Sequence, residues 1–521
     1  MAMAGSGVLA GADVGDEVGA AAVDGALVTV RSVVVVVCAT GVGDGAVAPP
    51  LPHATAISAS TSTPPNRTPP CDDCAPLPDV VLCSAMANSS PSLWRHSDFL
   101  KLWAGQSISQ LGSQVSLLAI PLTAVVALGA NAFQAGLLGT FEFLPFLLVG
   151  LPAGVWVDRM ARRPVLIAAD VGRAVALASI PVVAGLHSLH MVQLYAVSLV
   201  VGVLTVFFDV AYQSYLPSLV EREQLVDGNG KLEFSRATAE IAGPGLGGVL
   251  VGLLTAPIAV AADAASYVVS VASLLLIRRP EVVEPRVQGS RMRSELAEGV
   301  RYVWRHPLLR PIALCTGIGN YFGHIGMAVL ILYAVRDLGL TAGLIGLWFS
   351  LGSFGAPLGA ALAARLSRWL GAGRLIIVTA VLFSVSYVFL PAAPRAIPLP
   401  FFIASGLIGS FGSVVYNITQ VSLRQSICPP RLQGRMNATM RFLVWGTIPL
   451  GAFTGGLLGT WLGLRAALWV AAAGGVLALL PPLLSPVPRI RSIAAAVEEY
   501  GHIGAAGSPY AVLEEPEPLL Q

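Results

Sequence analysis

Charge is what this chain has least of. Of its 521 residues, 31 are Lys or Arg and 29 are Asp or Glu, so only 12% are charged while 55% are apolar. Soluble domains carry about 25% charged residues, and the deficit excludes an ordinary soluble enzyme or binding module. A net charge of +2 is too small to hold a polyanion, so no nucleic-acid partner is implied. Cysteine is scarce as well. Only Cys71, Cys74 and Cys83 stand close together; a zinc knuckle needs four ligands, the fourth is missing, and no metal follows. Cys38, Cys315 and Cys428 show no pairing pattern. The chain also lacks His-Glu-x-x-His, paired histidines with Asp, and a Gly-x-x-x-x-Gly-Lys phosphate loop, which argues against a membrane enzyme and an ATP-driven pump. No cofactor is implied.

What remains is grease. Mean hydropathy is +0.74, and a lipid-spanning helix needs about 20 mostly apolar residues. Twelve such stretches fit between Leu102 and Leu484, at about 104–128, 134–157, 164–186, 190–214, 236–256, 258–278, 308–335, 341–364, 373–392, 398–420, 440–461 and 465–485. Backbone polar groups in lipid must bond within their own segment. The reading is an all-α integral membrane protein with twelve transmembrane helices.

Basic residues mark the even-numbered breaks: Arg159, Arg162 and Arg163 after span 2, Arg222 and Lys231 after span 4, and Arg365, Arg368 and Arg374 around the break after span 8. Seven arginines from Arg278 to Arg305 follow span 6, and Arg424, Arg431 and Arg435 follow span 10. The odd breaks hold Arg336 beside Asp337, Arg395 and Arg465. The positive-inside rule places both termini and the central linker in the cytoplasm, in a cytoplasmic-membrane protein. Residues 1–90 lack this pattern and read as a disordered region or an upstream extension with the working start near Met86. The remaining divisions are a first six-helix bundle over 91–280, a cytoplasmic linker over 281–306, a second bundle over 307–488, and a cytoplasmic tail over 489–521.

The two bundles repeat one another. Gly150-x-x-x-Gly154 leads into Asp158, Arg159, Arg162 and Arg163, and Gly355-x-x-x-Gly359 leads into Arg365 and Arg368. Trp94-Arg95-His96 is matched by Trp304-Arg305-His306, and Ala135-Gly136-Leu137-Leu138-Gly139 by Ala342-Gly343-Leu344-Ile345-Gly346. Arg236 with Pro244 is matched by Arg441 with Pro449. The order and near-constant offset indicate two pseudo-symmetric six-helix halves with a substrate site at their interface.

The loop after span 2 resembles that of the major facilitator superfamily of secondary transporters, Gly-x-x-x-Asp-Arg-x-Gly-Arg-Arg. Gly154, Asp158, Arg159, Arg162 and Arg163 match, and Ala161 replaces the second glycine. The resemblance covers about residues 92–488. A helix 5 pattern that the family associates with proton-coupled exporters is matched by Gly230, Gly243, Pro244, Gly247 and Gly248, with Ala239 replacing one glycine. The entry Trp94 to Phe99, with Leu225 to Gly248, looks most like the branch holding the enterobactin exporter and macrolide efflux proteins. The resemblance implies that Gly154, Asp158, Arg159, Arg162 and Arg163 form a conformational latch, with the Asp158 carboxylate at the start of span 11 near Met440; the alternative is that the arginines are only topology anchors. Gly150 and Gly154, four apart, are expected to admit a close neighbour, and Gly243-Pro244 to bend span 5.

Ionisable groups inside lipid cost roughly 2.5–3.5 kcal/mol each on insertion scales and need a task or a partner. The spans hold Glu142, Asp170, Arg173, Asp209, Asp263, His324 and Arg441. Glu142, Asp263, Asp209 and His324 are the proton-coupling candidates, Glu142 first; an isolated histidine such as His324 is more often a hydrogen-bonded packing residue. Asp170 and Arg173, three apart on one helix face, read as structural partners of the latch or of Asp209, and Arg236 and Arg441 as further structural ion pairs. Aromatics such as Phe141, Phe143, Phe146, Tyr212, Tyr321 and Trp445 are available to line a greasy cavity. No cluster of fixed charges suggests a sugar phosphate, peptide or inorganic anion as cargo. The expected function is proton-coupled efflux of a hydrophobic or amphiphilic, drug- or macrolide-like small molecule by a monomer, with a siderophore exporter as alternative and nutrient uptake or a membrane sensor behind them. Deleting residues 1–85 is expected to change neither membrane insertion nor efflux, measured as dye retained by cells expressing each form at equal level.

Overall fold

The computed structural model describes residues 93–503, apart from 158–159, 222–223 and 280–291. Among them every regular element is helical. Ten helices are long and apolar enough to cross a bilayer: Ser97–Ala127 (span 1), Arg162–Gly185 (span 3), Met191–Leu219 (span 4), Ala256–Leu276 (span 6), Leu309–Arg336 (span 7), Ala342–Leu370 (span 8), Ala372–Ala392 (span 9), Pro398–Ile427 (span 10), Pro430–Trp461 (span 11) and Leu464–Leu483 (span 12). Two more complete the twelve. Span 2 is Ala132–Leu148 followed by Gly150–Val157. Span 5 is Leu225–Leu253, whose first half carries Asp227, Lys231, Glu233, Arg236 and Glu240.

Local chemistry sets several helix ends. Asn131 begins span 2 with a reciprocal cap: its side chain accepts from the Gln134 amide and Gln134 accepts from the Asn131 amide, both at 2.9 Å. Span 8 stops at Ser353 and span 11 at Trp445 before each resumes. Those residues stand four before Pro357 and Pro449, whose rings crowd that carbonyl and donate no bond to it. Pro244 has a milder effect, since span 5 runs through it as one continuous helix. Span 11 therefore starts at Pro430, and Met440 lies well inside the helix rather than at its start.

The Trp-Arg-His repeat turns out to be a capping device. His96 Nδ1 accepts from the Phe99 amide at 3.1 Å at the head of span 1. His306 Nδ1 accepts from the amides of Leu308 and Leu309 at 3.2 and 3.4 Å at the head of span 7. An aromatic ring nitrogen here performs the role usually given to Ser or Asp.

Packing shows the duplication directly. In the first half, span 1 lies on spans 5 and 6, span 3 on spans 4 and 6, and span 2 on span 4; the same pairings recur in the second half with six added to each number. The linker and tail carry helices of their own. Residues 280–291 and 504–521 lie outside the described residues, but Met292–Arg305 is a helix that packs on the first part of span 11, where Glu298 pairs with Arg435. Ile493–Tyr500 is a second short helix. It buries Ala496 in a cluster with Tyr302, Ile427, Cys428 and Met436. Cys71, Cys74 and Cys83, with the rest of 1–92, lie outside the described residues.

His306 sits fully buried under this tail, and burial pushes its proton affinity down to about 4. The unfolded chain takes up that proton near pH 6.5. The folded state therefore has its full stability from this group above about pH 6.5 and loses it progressively as pH falls towards 4, by a few kcal/mol at most. Thermal unfolding of the purified protein should show a lower Tm at pH 5 than at pH 7, and His306→Gln should remove most of that difference.

Candidate functional site

Among the described residues the two halves meet most closely at one end. Gly136 of span 2 lies against span 11 so closely that a Cβ on it would sit 2.5 Å from Gly456 Cα and 2.7 Å from the Ala452 carbonyl oxygen. Its pseudo-symmetric counterpart is the crossing of spans 5 and 8, where a Cβ on Gly346 would sit 2.5 Å from the Pro244 oxygen and one on Gly248 would sit 3.0 Å from Gly346 Cα. Without a hydrophobic force between helices in lipid, such backbone-on-backbone contact is what holds them. The same end is closed by Arg336 Nη2 donating to the Gly129 carbonyl at 2.8 Å and by Phe133 against Phe453 at 5.9 Å.

Deeper in the bundle the contact passes to aromatic rings and then stops. Phe143 meets His324 edge-on at 5.7 Å and Phe146 meets Trp445 at 5.0 Å. A Cβ on Gly446 would still lie 2.9 Å from Leu147 Cδ1. Beyond that level Gly150 and Gly154 have no neighbour within 4 Å of a Cβ position, so the close approach expected of them is absent in this conformation. The halves part, and a cleft opens towards the end that carries residues 160–162 and the linker.

Each half carries a polar cavity of its own, and the two differ chemically. On the first half, Gln106, Gln110, Tyr212, Asn229, Glu233 and Arg236 line a cavity of about 120 Å³. On the second half, Thr316, Asn320, Phe383, Tyr416, Asn417 and Trp445 line one of about 240 Å³ with no charged group. The sequence explains the asymmetry: from Leu309 to Leu484 the only acid is Asp337, and every other intramembrane carboxylate belongs to the first half.

Those carboxylates fall into two kinds. Asp170 and Asp263 are buried and bonded. Asp170 pairs with Arg173 and accepts from Ser270 Oγ at 2.6 Å; Asp263 accepts from Ser266 Oγ at 3.2 Å. The Arg173 guanidinium lies between the rings of Phe208 and Tyr267, 4.1 and 4.4 Å from their centroids, and Tyr267 bonds Ser113 of span 1 at 2.9 Å. This network ties spans 1, 3, 4 and 6 together. Glu142 and Asp209 are half-buried, and neither has a hydrogen bond or ion pair with a described residue. Asp209 lies within electrostatic reach of Arg173 in its own half and of Arg441 in the other.

The remaining sequence-selected residues settle as follows. Asp158 and Arg159 lie outside the described residues. Arg163 donates to the carbonyls of Leu274 and Leu275, both at 3.0 Å, where span 6 ends. Asp170 and Arg173 pair with each other rather than with the latch. Arg236 pairs with Glu233 and Glu240 on its own helix. Arg441 lies 5.4 Å from the ring of Trp445 and makes no ion pair with a described residue, which corrects its expected role. His324 Nδ1 donates to the Asn320 carbonyl at 2.9 Å, a bond within its own helix. Gly230 is buried; Gly243 and Gly247 face span 1, where their Cβ positions lie 2.3 Å from Gln114 Cβ and 3.3 Å from Val115 Cα. Gly248 faces span 8 instead, so the motif holds two interfaces. Sequence reasoning missed Gly136, Gly346 and Gly456 as contact points, although the repeated Ala-Gly-Leu-x-Gly was visible, and it missed Tyr267 and Phe208 around Arg173, for which spacing offers no signal.

Comparison with known proteins agrees with this architecture. Residues 88–502 match the family described as transmembrane secretion effectors, within the major facilitator superfamily. The chain belongs to this family. Among its relatives, it is 25% identical over 369 residues to the multidrug efflux pump Tap of Mycolicibacterium fortuitum, covering 68% of this chain and 87% of that protein. It is 23% identical over 403 residues to macrolide efflux protein A of Streptococcus pyogenes, covering 75% and 97%. Its fold is similar to that of a bacterial homologue of the iron transporter ferroportin in an inward-facing state, with a TM-score of 0.61, 17% identity and coverage of 74% and 98%. The family member described here is therefore a multi-pass membrane transporter and not an enzyme.

The contact at Gly346 is the part most sensitive to size. Gly346→Leu is expected to leave membrane insertion intact and to lower transport at least tenfold. The check is transport together with the spin-label distance between residues 131 and 460, which should lengthen in the variant.

Proposed function

We propose that the chain exports an amphiphilic small molecule across the cytoplasmic membrane in exchange for protons, by alternating access between its two halves. The observation that carries this reading is that the halves close on each other at one end while unpartnered acids of the first half stand beside the cleft open at the other. By the positive-inside argument the closed end is external and the open end cytoplasmic, with both termini inside. The state described here is then inward-facing.

The chemistry of the walls supports the cargo. A neutral, aromatic second-half surface suits an apolar ring system with hydrogen-bonding groups, while the first-half cavity adds Glu233, whose partner Arg236 is shared with Glu240 just outside the lining. An apolar solute carrying a weak base meets both conditions, and the names of the multidrug and macrolide efflux relatives point the same way.

Proton coupling is assigned to Glu142 and Asp209. Charge balance favours the first half as its seat: Asp170, Asp209 and Asp263 all lie around Arg173, the one cation its own half gives them, with Arg441 of the other half reaching Asp209 alone, and uncompensated carboxylates in a low-dielectric bundle are expensive. Arg441 supplies the link to motion. It rides on the other half, so rocking changes its distance from Asp209 and with it that carboxyl's affinity for a proton. The latch reading fits the same cycle. In the inward-facing state Gly150 and Gly154 are uncovered; closure of the cytoplasmic end would bring their helix, with Asp158, Arg159, Arg162 and Arg163, against the second half.

The test is transport by protein reconstituted in vesicles. An imposed pH gradient should drive accumulation of a cationic dye or a macrolide, and an uncoupler should abolish it. Glu142→Gln is expected to reduce gradient-driven uptake at least tenfold while leaving dye–dye exchange near wild type. Retained gradient-driven uptake in Glu142→Gln, with loss in Asp209→Asn, would move the coupling proton to Asp209; retention in both would reject the assignment.

A further inference from the structure

A second polar cavity lies on the outside of the first half, away from the cleft. It has a volume of about 640 Å³ and sits where the head of span 1 meets the end of span 6, lined by Arg95, His96, Asp98, Lys101, Leu276 and Arg278. Its carboxylate is already used. Asp98 pairs with Lys101 at 2.7 Å and accepts from the backbone amides of Arg278 and Arg279 at 3.3 and 3.0 Å, while Lys101 also donates to the Leu276 carbonyl at 2.9 Å. His96 is occupied as the cap of span 1. The guanidinium groups of Arg95 and Arg278 have no partner among the described residues. Three cations against one carboxylate leave a surplus of two positive charges in the cavity, and the N-terminal dipole of the 26-residue opening helix of span 1 adds to the same sign.

Its depth in the membrane identifies the occupant. Leu275 and Leu276 are 60% and 61% exposed and end the apolar stretch of span 6; the charged wall begins within two residues. Trp94, 53% exposed, stands edge-on to Trp103 at 5.2 Å and carries Lys231 Nζ at 5.1 Å from its ring. An amphipathic ring at that level marks the boundary between hydrocarbon and headgroups. A site there meets an anionic phosphate on one side and acyl chains on the other.

We propose that this cavity binds the headgroup phosphate of an anionic phospholipid, with Arg95 and Arg278 as its ligands and the exposed Leu275–Leu276 flank beneath the acyl chains. The site is separate from the translocation cleft and stands whether or not the coupling assignment does. Guanidinium groups suit the task because they bond phosphate in pairs and give up hydration readily.

Native mass spectrometry of the purified full chain tests it. Phosphatidylglycerol should be retained at least fivefold more than phosphatidylcholine, Arg95→Gln with Arg278→Gln should erase that preference, and the double Lys variant should keep half or more of it. A photoactivatable phosphatidylglycerol analogue should label wild-type protein at residues 94–101 or 275–279, an arm that holds even if the Gln variant does not fold. Equal retention of the two lipids, unchanged preference in the Gln variant, or labelling elsewhere would overturn the proposal. So would displacement of phosphatidylglycerol by millimolar inorganic phosphate, which would make this a site for the free ion.

Discussion

The whole arrangement hangs on two places where backbone meets backbone: Gly136 against Gly456, and Gly346 against Pro244 and Gly248. In lipid, apolar side chains gain nothing by leaving hydrocarbon for a neighbouring helix, so association relies on close approach and on the contacts that only very small residues allow. Two such crossings, related by the internal duplication, join the halves at one end. Beyond them the glycines of span 2 meet no such neighbour. The cleft and the unpartnered motif glycines of span 2 follow from that one-sided closure.

Charge is distributed as unevenly as contact. The first half holds the embedded acids and the arginine that gathers them; the second half offers amides, hydroxyls and rings. A carboxylate inside lipid is costly unless it is bonded or paired, and the acids of the first half divide on that point. Asp170 and Asp263 are locked into a network that spans four helices, whereas Glu142 and Asp209 stand without bonds beside the space between the halves. The network ties four helices of the first half together, and the unbonded pair is what the proposed coupling draws on. From the second half, Arg441 reaches Asp209 electrostatically while resting on Trp445.

Much of this could be read in the chain before any coordinates. The twelve spans, the twofold repeat and the family resemblance all rest on local signals: apolar length, basic breaks and matched short motifs. Even so, legibility was uneven. Trp94-Arg95-His96 and Trp304-Arg305-His306 were visible as a repeat, but their task as ring-nitrogen caps depends on where the imidazole turns. Arg236 and Arg441 looked equivalent by offset, yet one pairs along its own helix and the other rests on a tryptophan. Span 11 was expected to begin near Met440, because the polar run from Arg431 to Asn437 resembles a loop; it is helix because the linker helix covers that face and Glu298 pairs with Arg435.

What the sequence determined by itself is what depends on one segment at a time: which stretches enter lipid, which side their breaks prefer, where a proline stops a helix. The tertiary structure alone decided which glycines touch, which acids are bonded, and which end of the bundle is shut. Helical periodicity places a residue on a face, but the partner of that face lies hundreds of residues away. Whether a glycine is a contact or an open surface is set by the position of one half against the other, which no local pattern encodes.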